Sequence, residues 1–186
     1  GKGGGSNVDQ NFVRVMENSV LSIDKLAATQ TGADVVTETQ LDLRSGKIFG
    51  TVKKLSAGSR YEVKIPNGIA GVRGTVYTIS SDGVVSVTEG SVVISYQVGV
   101  DANGDPIIVT EEVSEGEQFD ARTRQVGPIP PAEANAMAQN LAGSGSLTPL
   151  TGVSTFAVDS TIFTVSPTSG SGGAGGNGNG GNGNGD

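Results

Sequence analysis

Short runs of alternating apolar residues, separated by glycine turns, occupy residues 48–96 and restrict the folds that this chain can adopt. Successive side chains of a β-strand point to opposite faces, so one apolar residue in every two marks a strand with one buried face. Tyr61, Val63 and Ile65 share a face in this way, as do Tyr77 and Ile79, and then Val92, Ile94 and Tyr96. Turn pairs recur at short intervals: Ser45-Gly46, Ala57-Gly58, Asn67-Gly68, Asp82-Gly83, Glu89-Gly90, Asn103-Gly104 and Glu115-Gly116. This spacing predicts an all-β fold, an antiparallel sandwich or roll, rather than alternating strands and helices.

Composition divides the chain into a β domain with extensions at both ends. Within the domain, Phe12–Met16, Val20–Ile23 and Val35–Leu43 are expected strands. A short helix begins at Pro131, and Met137 and Leu141, four residues apart, are expected to face the sheet. The predicted segments are a glycine-rich lead-in (1–11), a β domain (12–127), a short helix (128–142), a linker (143–152), an extended strand (153–168) and a glycine- and asparagine-rich tail (169–186).

The composition removes most of the usual catalytic groups. The chain contains no His and no Cys, so imidazole bases, the commonest metal ligand and thiol nucleophiles are all missing. No serine lies in a nucleophile elbow, and no two carboxylates stand in a context that suggests displaced pKa values. We therefore expect no enzymatic activity, no catalytic residue and no cofactor.

One loop carries oxygen ligands that could hold calcium. Asp101, Asn103 and Asp105 alternate along it, but they lack the full spacing of a calcium loop. Asn103-Gly104 between two apolar runs is also a strong hairpin signal. A plain hairpin is the favoured interpretation, and these three residues stay a weak metal candidate.

Charge is distributed unevenly along the chain. Residues 44–73 contain seven basic residues against Glu62 alone, whereas residues 74–121 contain nine acidic residues and no Lys or Arg. Two readings remain open: neighbouring strands pair these charges across one sheet, or two faces of opposite charge dock between subunits. The formal net charge of −7 argues against binding to nucleic acid, and no apolar run is long enough to span a membrane.

A detached apolar segment follows the linker. Residues 153–165 are rich in β-branched and aromatic residues, and a lone strand must join a sheet to be stable. It either forms an edge of its own domain or adds as a strand to the next subunit. If the strand is exchanged between subunits, the expected inserted side chains are Phe156, Val158, Ile162, Phe163 and Val165.

The β domain resembles the FecR-like domain over about residues 12–120. The strand pair of Val13–Ile23 is similar to the entry into that domain. The other residues that carry the resemblance are Leu41–Ile48, Val52–Ser56, Tyr61–Thr75 with its Arg73-Gly74-Thr75 element, and Val87–Val93. The resemblance, closest to stand-alone secreted members, implies an all-β module of the periplasm or cell exterior. In founding members that module relays a signal from an outer-membrane transporter to a sigma factor.

Two functions follow as expectations. The first is a secreted structural protein that polymerises head-to-tail with copies of itself into an extracellular or cell-surface filament, through exchange of the C-terminal strand or tail. The alternative is a monomeric envelope module of FecR type that binds a ligand or relays a signal.

Overall fold

The computed structural model describes residues 11–144, 154–158 and 161–165, and the last two ranges are described by their backbone alone. These residues form twelve strands and one helix. In chain order they are β1 (Asn11–Val15), β2 (Val20–Thr31), β3 (Asp34–Ser45), β4 (Lys47–Thr51), β5 (Arg60–Ile65), β6 (Gly68–Ser80), β7 (Val84–Val100), β8 (Pro106–Ser114), β9 (Glu117–Asp120), β10 (Gln125–Pro128), α1 (Pro131–Ser144), β11 (Ser154–Val158) and β12 (Thr161–Val165). The predicted all-β class with one short C-terminal helix is confirmed.

The strands hydrogen-bond into one connected sheet. Its main path runs β10-β9-β7-β6-β4-β1-β12-β11, while β5, β3 and β2 branch from β6, and β8 pairs with β7. Most pairs are antiparallel, as predicted. Within the described residues, β1 and β12 run parallel, and so do β3 and β5. The sheet is therefore mixed, because these two contacts join strands that no short hairpin connects.

Alternation along the strands builds the main core. The side chains predicted to share a face, from Tyr61 to Ile94, are all buried there, and Tyr96 packs against them partly exposed. Leu41 and Leu43 are also fully buried, as their spacing indicates. Because period-two alternation places every second side chain on one face, this part of the core follows directly from the local sequence.

The helix α1 covers a second, smaller apolar cluster on the other face of the sheet. Met137 is 1% exposed and packs with Phe12, Phe49 and Val76. Glu133 fixes the first turn of the helix, since its Oε1 accepts hydrogen bonds from Lys47 Nζ at 2.5 Å and from Thr78 Oγ1 at 2.9 Å. At the other end, Arg14 Nη1 donates to Asn140 Oδ1 at 2.7 Å. Leu141, expected to face the sheet, is 43% exposed, so the prediction for that residue is wrong.

Three further expectations need correction. Within residues 20–34 the sequence predicts only the short strand Val20–Ile23. In the structure these residues form β2, the turn at Gly32 and the start of β3, which pair as a long hairpin. Glu89-Gly90, predicted to be a turn between strands, lies inside the continuous strand β7. The segment predicted as one extended strand is two, because β11 and β12 pair antiparallel as a hairpin.

That C-terminal hairpin lies against the chain's own first strand. Residues Asn11 to Val15 of β1 pair in register with Thr161 to Val165 of β12. The sequence left two arrangements open, an edge of the chain's own domain and strand addition to the next subunit. The structure has the first. The first two residues of the predicted linker, Gly143 and Ser144, belong to α1. The rest of the linker, the glycine-rich tail, and the side chains of Phe156, Val158, Ile162, Phe163 and Val165 lie outside what the structure describes.

Candidate functional site at the strand crossover

The site forms where β6 changes its neighbours. The first part of β6 pairs with β5 and its second part pairs with β4, while β7 accompanies both parts. The β6–β7 register shifts between Arg73 and Val76. At that point Thr75 and Val52 exchange two backbone hydrogen bonds of 2.8 Å, and Thr75 Oγ1 donates to the Ser91 carbonyl at 2.7 Å. These bonds hold the crossover rigidly between β6, β7 and the segment after β4.

Two glycines make this crossover possible. Gly90 has a φ of 80°, and a Cβ at this position would lie 2.2 Å from the Gly74 carbonyl oxygen. Gly74 has a φ of 59°, and its Cβ would lie 3.1 Å from Lys54 Cα. A positive φ and so close an approach favour glycine at both positions. The absent side chains let the backbone of Lys54 approach β6 beside Arg73.

An open cleft of about 700 Å³ lies at this crossover, and we call it the corner cleft. It is lined by Thr51, Val52, Lys53, Lys54, Arg73, Gly74 and Glu89. A second hollow of about 250 Å³ is also lined by Lys53 and Lys54, together with Asn11 and the Leu55–Ser59 turn. The loop Lys53-Lys54 thus borders two depressions, and both of its side chains are exposed.

The corner cleft is electropositive. Among the described residues that line it, three are cationic and one, Glu89, carries a carboxylate. The Arg73 side chain is exposed. Such a wall can bind an anionic group through charge-assisted hydrogen bonds.

Four basic residues of the block 44–73 do not draw on the acidic block of residues 74–121. Arg44 pairs with Asp42, Arg60 with Glu62, Lys64 with Asp24 and Lys47 with Glu133. None of these carboxylates belongs to residues 74–121. Asp120 of the acidic block pairs with Arg122, at 2.9 Å. Of the two readings that the sequence left open, pairing between the basic and the acidic block is therefore not how these four cations are satisfied.

The displaced pKa values belong to groups of the core and of one surface turn. Burial raises the pKa of Tyr61 and of Tyr77, whose hydroxyls meet inside the core. The Arg122 guanidinium lowers the pKa of Asp120 by hydrogen bonding to its carboxylate. These shifts arise from core packing and a surface ion pair.

The calcium candidate forms a hairpin turn. Asp101 Oδ1 accepts hydrogen bonds from the backbone N–H groups of Asn103, at 2.8 Å, and of Asp105, at 3.0 Å. The Asp101 carbonyl also accepts from Gly104 N. Within residues 11–144, no three side chains of metal-ligating type gather into a group that could hold an ion. Asp101, Asn103 and Asp105 are thus engaged in the turn that Asn103-Gly104 predicts.

The family model of the FecR protein matches residues 7–93 of the chain. The FecR match runs from before β1 into β7 and includes the crossover and every residue that lines the corner cleft. β8 to β10, α1 and the C-terminal hairpin lie beyond it. Among curated proteins, no sequence matches the chain.

Two solved structures share part of the backbone course. Both are crystal structures of a candidate anti-sigma factor from Parabacteroides distasonis. The first is 12% identical to this chain, with a TM-score of 0.45, and the match covers 83% of this chain and 89% of the chain in that structure. The second is 11% identical, with a TM-score of 0.41, and covers 80% of this chain and 100% of its own. In the described part of this chain, no helix is both long and apolar enough to cross a bilayer.

The sequence predicts a bend and a purely structural role for Arg73-Gly74-Thr75. In the structure these residues instead lie inside the continuous strand β6, at its register shift, and Arg73 lines the corner cleft together with Lys54, which no motif marks. The available signal was the basic block of residues 44–73. That block did not reveal the cleft, because Lys54 and Arg73 meet only through the contact between Gly74 and the segment after β4.

Proposed function

We propose that the chain is a non-catalytic recognition module of FecR type that acts outside the cytoplasm and relays the binding of a partner. The FecR match over residues 7–93 supports this proposal, and the corner cleft supplies a place for the partner. The single observation that carries it is that the crossover motif forms the wall of an open, electropositive cleft. The crossover is held by backbone hydrogen bonds, so a bound partner meets a preorganised surface.

Site-specific photo-cross-linking in cells that make the protein tests this function. A photoreactive benzoylphenylalanine replaces Lys53, an exposed residue that lines the cleft, and in a matched control it replaces Thr29, an exposed residue of β2. We expect a discrete cross-linked partner from position 53 that disappears when Arg73→Ala is added. Identical products from both positions, or none from position 53, would overturn the proposed site.

A second candidate is self-assembly by exchange of the C-terminal hairpin. It is favoured by one observation: β12 adds to the edge of β1 through a parallel ladder, which β12 of another copy could form equally well. Exchange in one direction around many copies would give an open head-to-tail polymer. Such a polymer would make the chain a secreted structural protein at the cell surface.

Engineered cysteines distinguish exchange from intramolecular folding, because the chain has no cysteine of its own. Asn11 and Thr161 are paired in register, so Asn11→Cys and Thr161→Cys place two thiols on adjacent strands. After mild oxidation the double variant should give disulfide-linked oligomers if the hairpin is exchanged, and an internally cross-linked monomer if it is not. A chain ending at Gly143, which cannot exchange the hairpin, should remain monomeric by light scattering. Oligomers of that truncated chain would contradict the exchange mechanism.

A further inference from the structure

Two of the three cations of the corner cleft, Lys54 and Arg73, differ from the other described basic residues in having no partner among the described residues. The structure describes every basic residue except Lys2. Six form ion pairs: Lys25, Arg44, Lys47, Arg60, Lys64 and Arg122. Arg14 donates to Asn140, Arg124 donates to the Val98 carbonyl, and Lys53 has an interaction of its own. Among the described residues, Lys54 and Arg73 are left without a hydrogen-bond or ion-pair partner, and both line the cleft.

The backbone holds these two residues together. Gly74 directly follows Arg73, and its α-carbon approaches Lys54 so closely that a Cβ there would lie 3.1 Å from Lys54 Cα. The paired hydrogen bonds between Val52 and Thr75 fix the same two segments on either side of that contact. Two cationic residues without a carboxylate partner among the described residues thus border the same cleft. An anion that binds there would gain charge-assisted hydrogen bonds from both.

The rest of the lining restricts the kind of anion. Glu89 places a carboxylate in the same wall, which repels a dense polyanion such as polyphosphate and can accept a hydrogen bond from an N–H donor. Among the described residues no aromatic side chain lines the cleft, so that part of the wall offers a nucleic-acid base no surface to stack on. A polypeptide supplies both carboxylates for the cations and backbone N–H groups for Glu89. Arg73 can bind a carboxylate with two parallel hydrogen bonds, whereas Lys54 acts as a compact charge.

From these observations we infer that the corner cleft binds an acidic peptide segment of a partner protein, with carboxylates on Arg73 and Lys54 and a backbone N–H on Glu89. This inference rests on the proposed recognition function and names the ligand class of the same site. It also assigns the motif arginine a binding role in addition to its place in the crossover.

Fluorescence anisotropy with a labelled peptide of alternating Glu and Ser tests the ligand class. The comparison arms are the same peptide with Lys in place of Glu, and inorganic polyphosphate as a competitor. Arg73→Ala and Lys54→Ala should each weaken binding of the acidic peptide by about tenfold, the loss expected for one charge-assisted hydrogen bond. Arg60→Ala is the matched control, because Arg60 is exposed but already pairs with Glu62. Binding should fall as salt is raised, since the site is open to solvent.

Three results would overturn the inference: equal losses from Arg60→Ala and Arg73→Ala, tighter binding of the Lys peptide, or full displacement by polyphosphate at lower concentration than by unlabelled acidic peptide. Circular dichroism checks that the variants fold, which their exposed positions allow. Failure of the inference about the ligand class is distinguishable from failure of the proposed recognition function. A partner cross-linked from position 53 without affinity for acidic peptide rejects the ligand class alone, whereas loss of both results rejects the site.

Discussion

The hydroxyls of Tyr61 and Tyr77 lie 3.1 Å apart inside the core, and their rings meet edge to face with centroids 6.3 Å apart. Tyr61 comes from β5 and Tyr77 from β6, beyond the crossover at Gly74. Each hydroxyl can satisfy the other in a site closed to water. Tyr77 also fills the space above Gly50, where a Cβ would lie 2.4 Å from its ring. This pair therefore connects β5 with the part of β6 that follows the crossover.

Removing both hydroxyls of this pair should cost less stability than the two single removals added together. In Tyr77→Phe the Tyr61 hydroxyl loses its partner while buried, and we expect the free energy of unfolding to fall by about 1–3 kcal/mol. The Tyr61→Phe/Tyr77→Phe double variant should lose less than the sum of the single changes, because no polar group is left unpaired. Urea denaturation of the four proteins measures this cycle. Strict additivity would contradict a direct hydroxyl pair.

The same pair makes stability sensitive to alkaline pH. Burial raises the pKa of both phenols in the folded protein, so the folded state holds their protons more tightly than the unfolded chain does. The contribution is fully present below the unfolded phenol value of about 10, and it is lost as pH rises from there toward the folded pKa. We expect the urea midpoint to fall above about pH 10. The double phenylalanine variant should show a flatter decline, and an equally steep one would remove these tyrosines as the cause.

The crossover should depend on Gly90 for more than its backbone angle. Gly90 and Gly104 both have positive φ, at 80° and 87°, but a Cβ would meet the Gly74 carbonyl at position 90 and open space at position 104. Gly104→Ala should cost about 1–2 kcal/mol, the price of a left-handed alanine. Gly90→Ala should cost about 1–3 kcal/mol more, because β6 and β7 must move apart. Thermal denaturation of both variants checks the difference, and equal losses would mean that the close approach carries no energy.

Local sequence patterns predicted the core well and the cleft poorly. Tyr61, Val63 and Ile65 are buried together because alternation is a property of neighbouring residues and needs no knowledge of partners. Glu89-Gly90 has the composition of a turn, yet it lies in a strand because Gly90 faces the register shift of β6. That shift lies where β6 exchanges β5 for β4 as its neighbour, a change of strand pairing that residues 89 and 90 do not encode. The absence of partners for Lys54 and Arg73 among the described residues likewise depends on contacts between residues that are distant in sequence.

The C-terminal helix offers a matched pair of substitutions that tests its docking. Met137 is 1% exposed and packs on Phe12, Phe49 and Val76, whereas Leu141, one turn later, is 43% exposed. Met137→Ala should destabilise the docked helix by about 2–5 kcal/mol, because it leaves a cavity under α1. Leu141→Ala should cost about 0.5 kcal/mol or less. Amide hydrogen exchange reports the effect on the helix directly, with faster exchange across Pro131–Ser144 expected in Met137→Ala and unchanged exchange within β6 and β7. Equal acceleration in the two variants would show that Met137 does not anchor the helix.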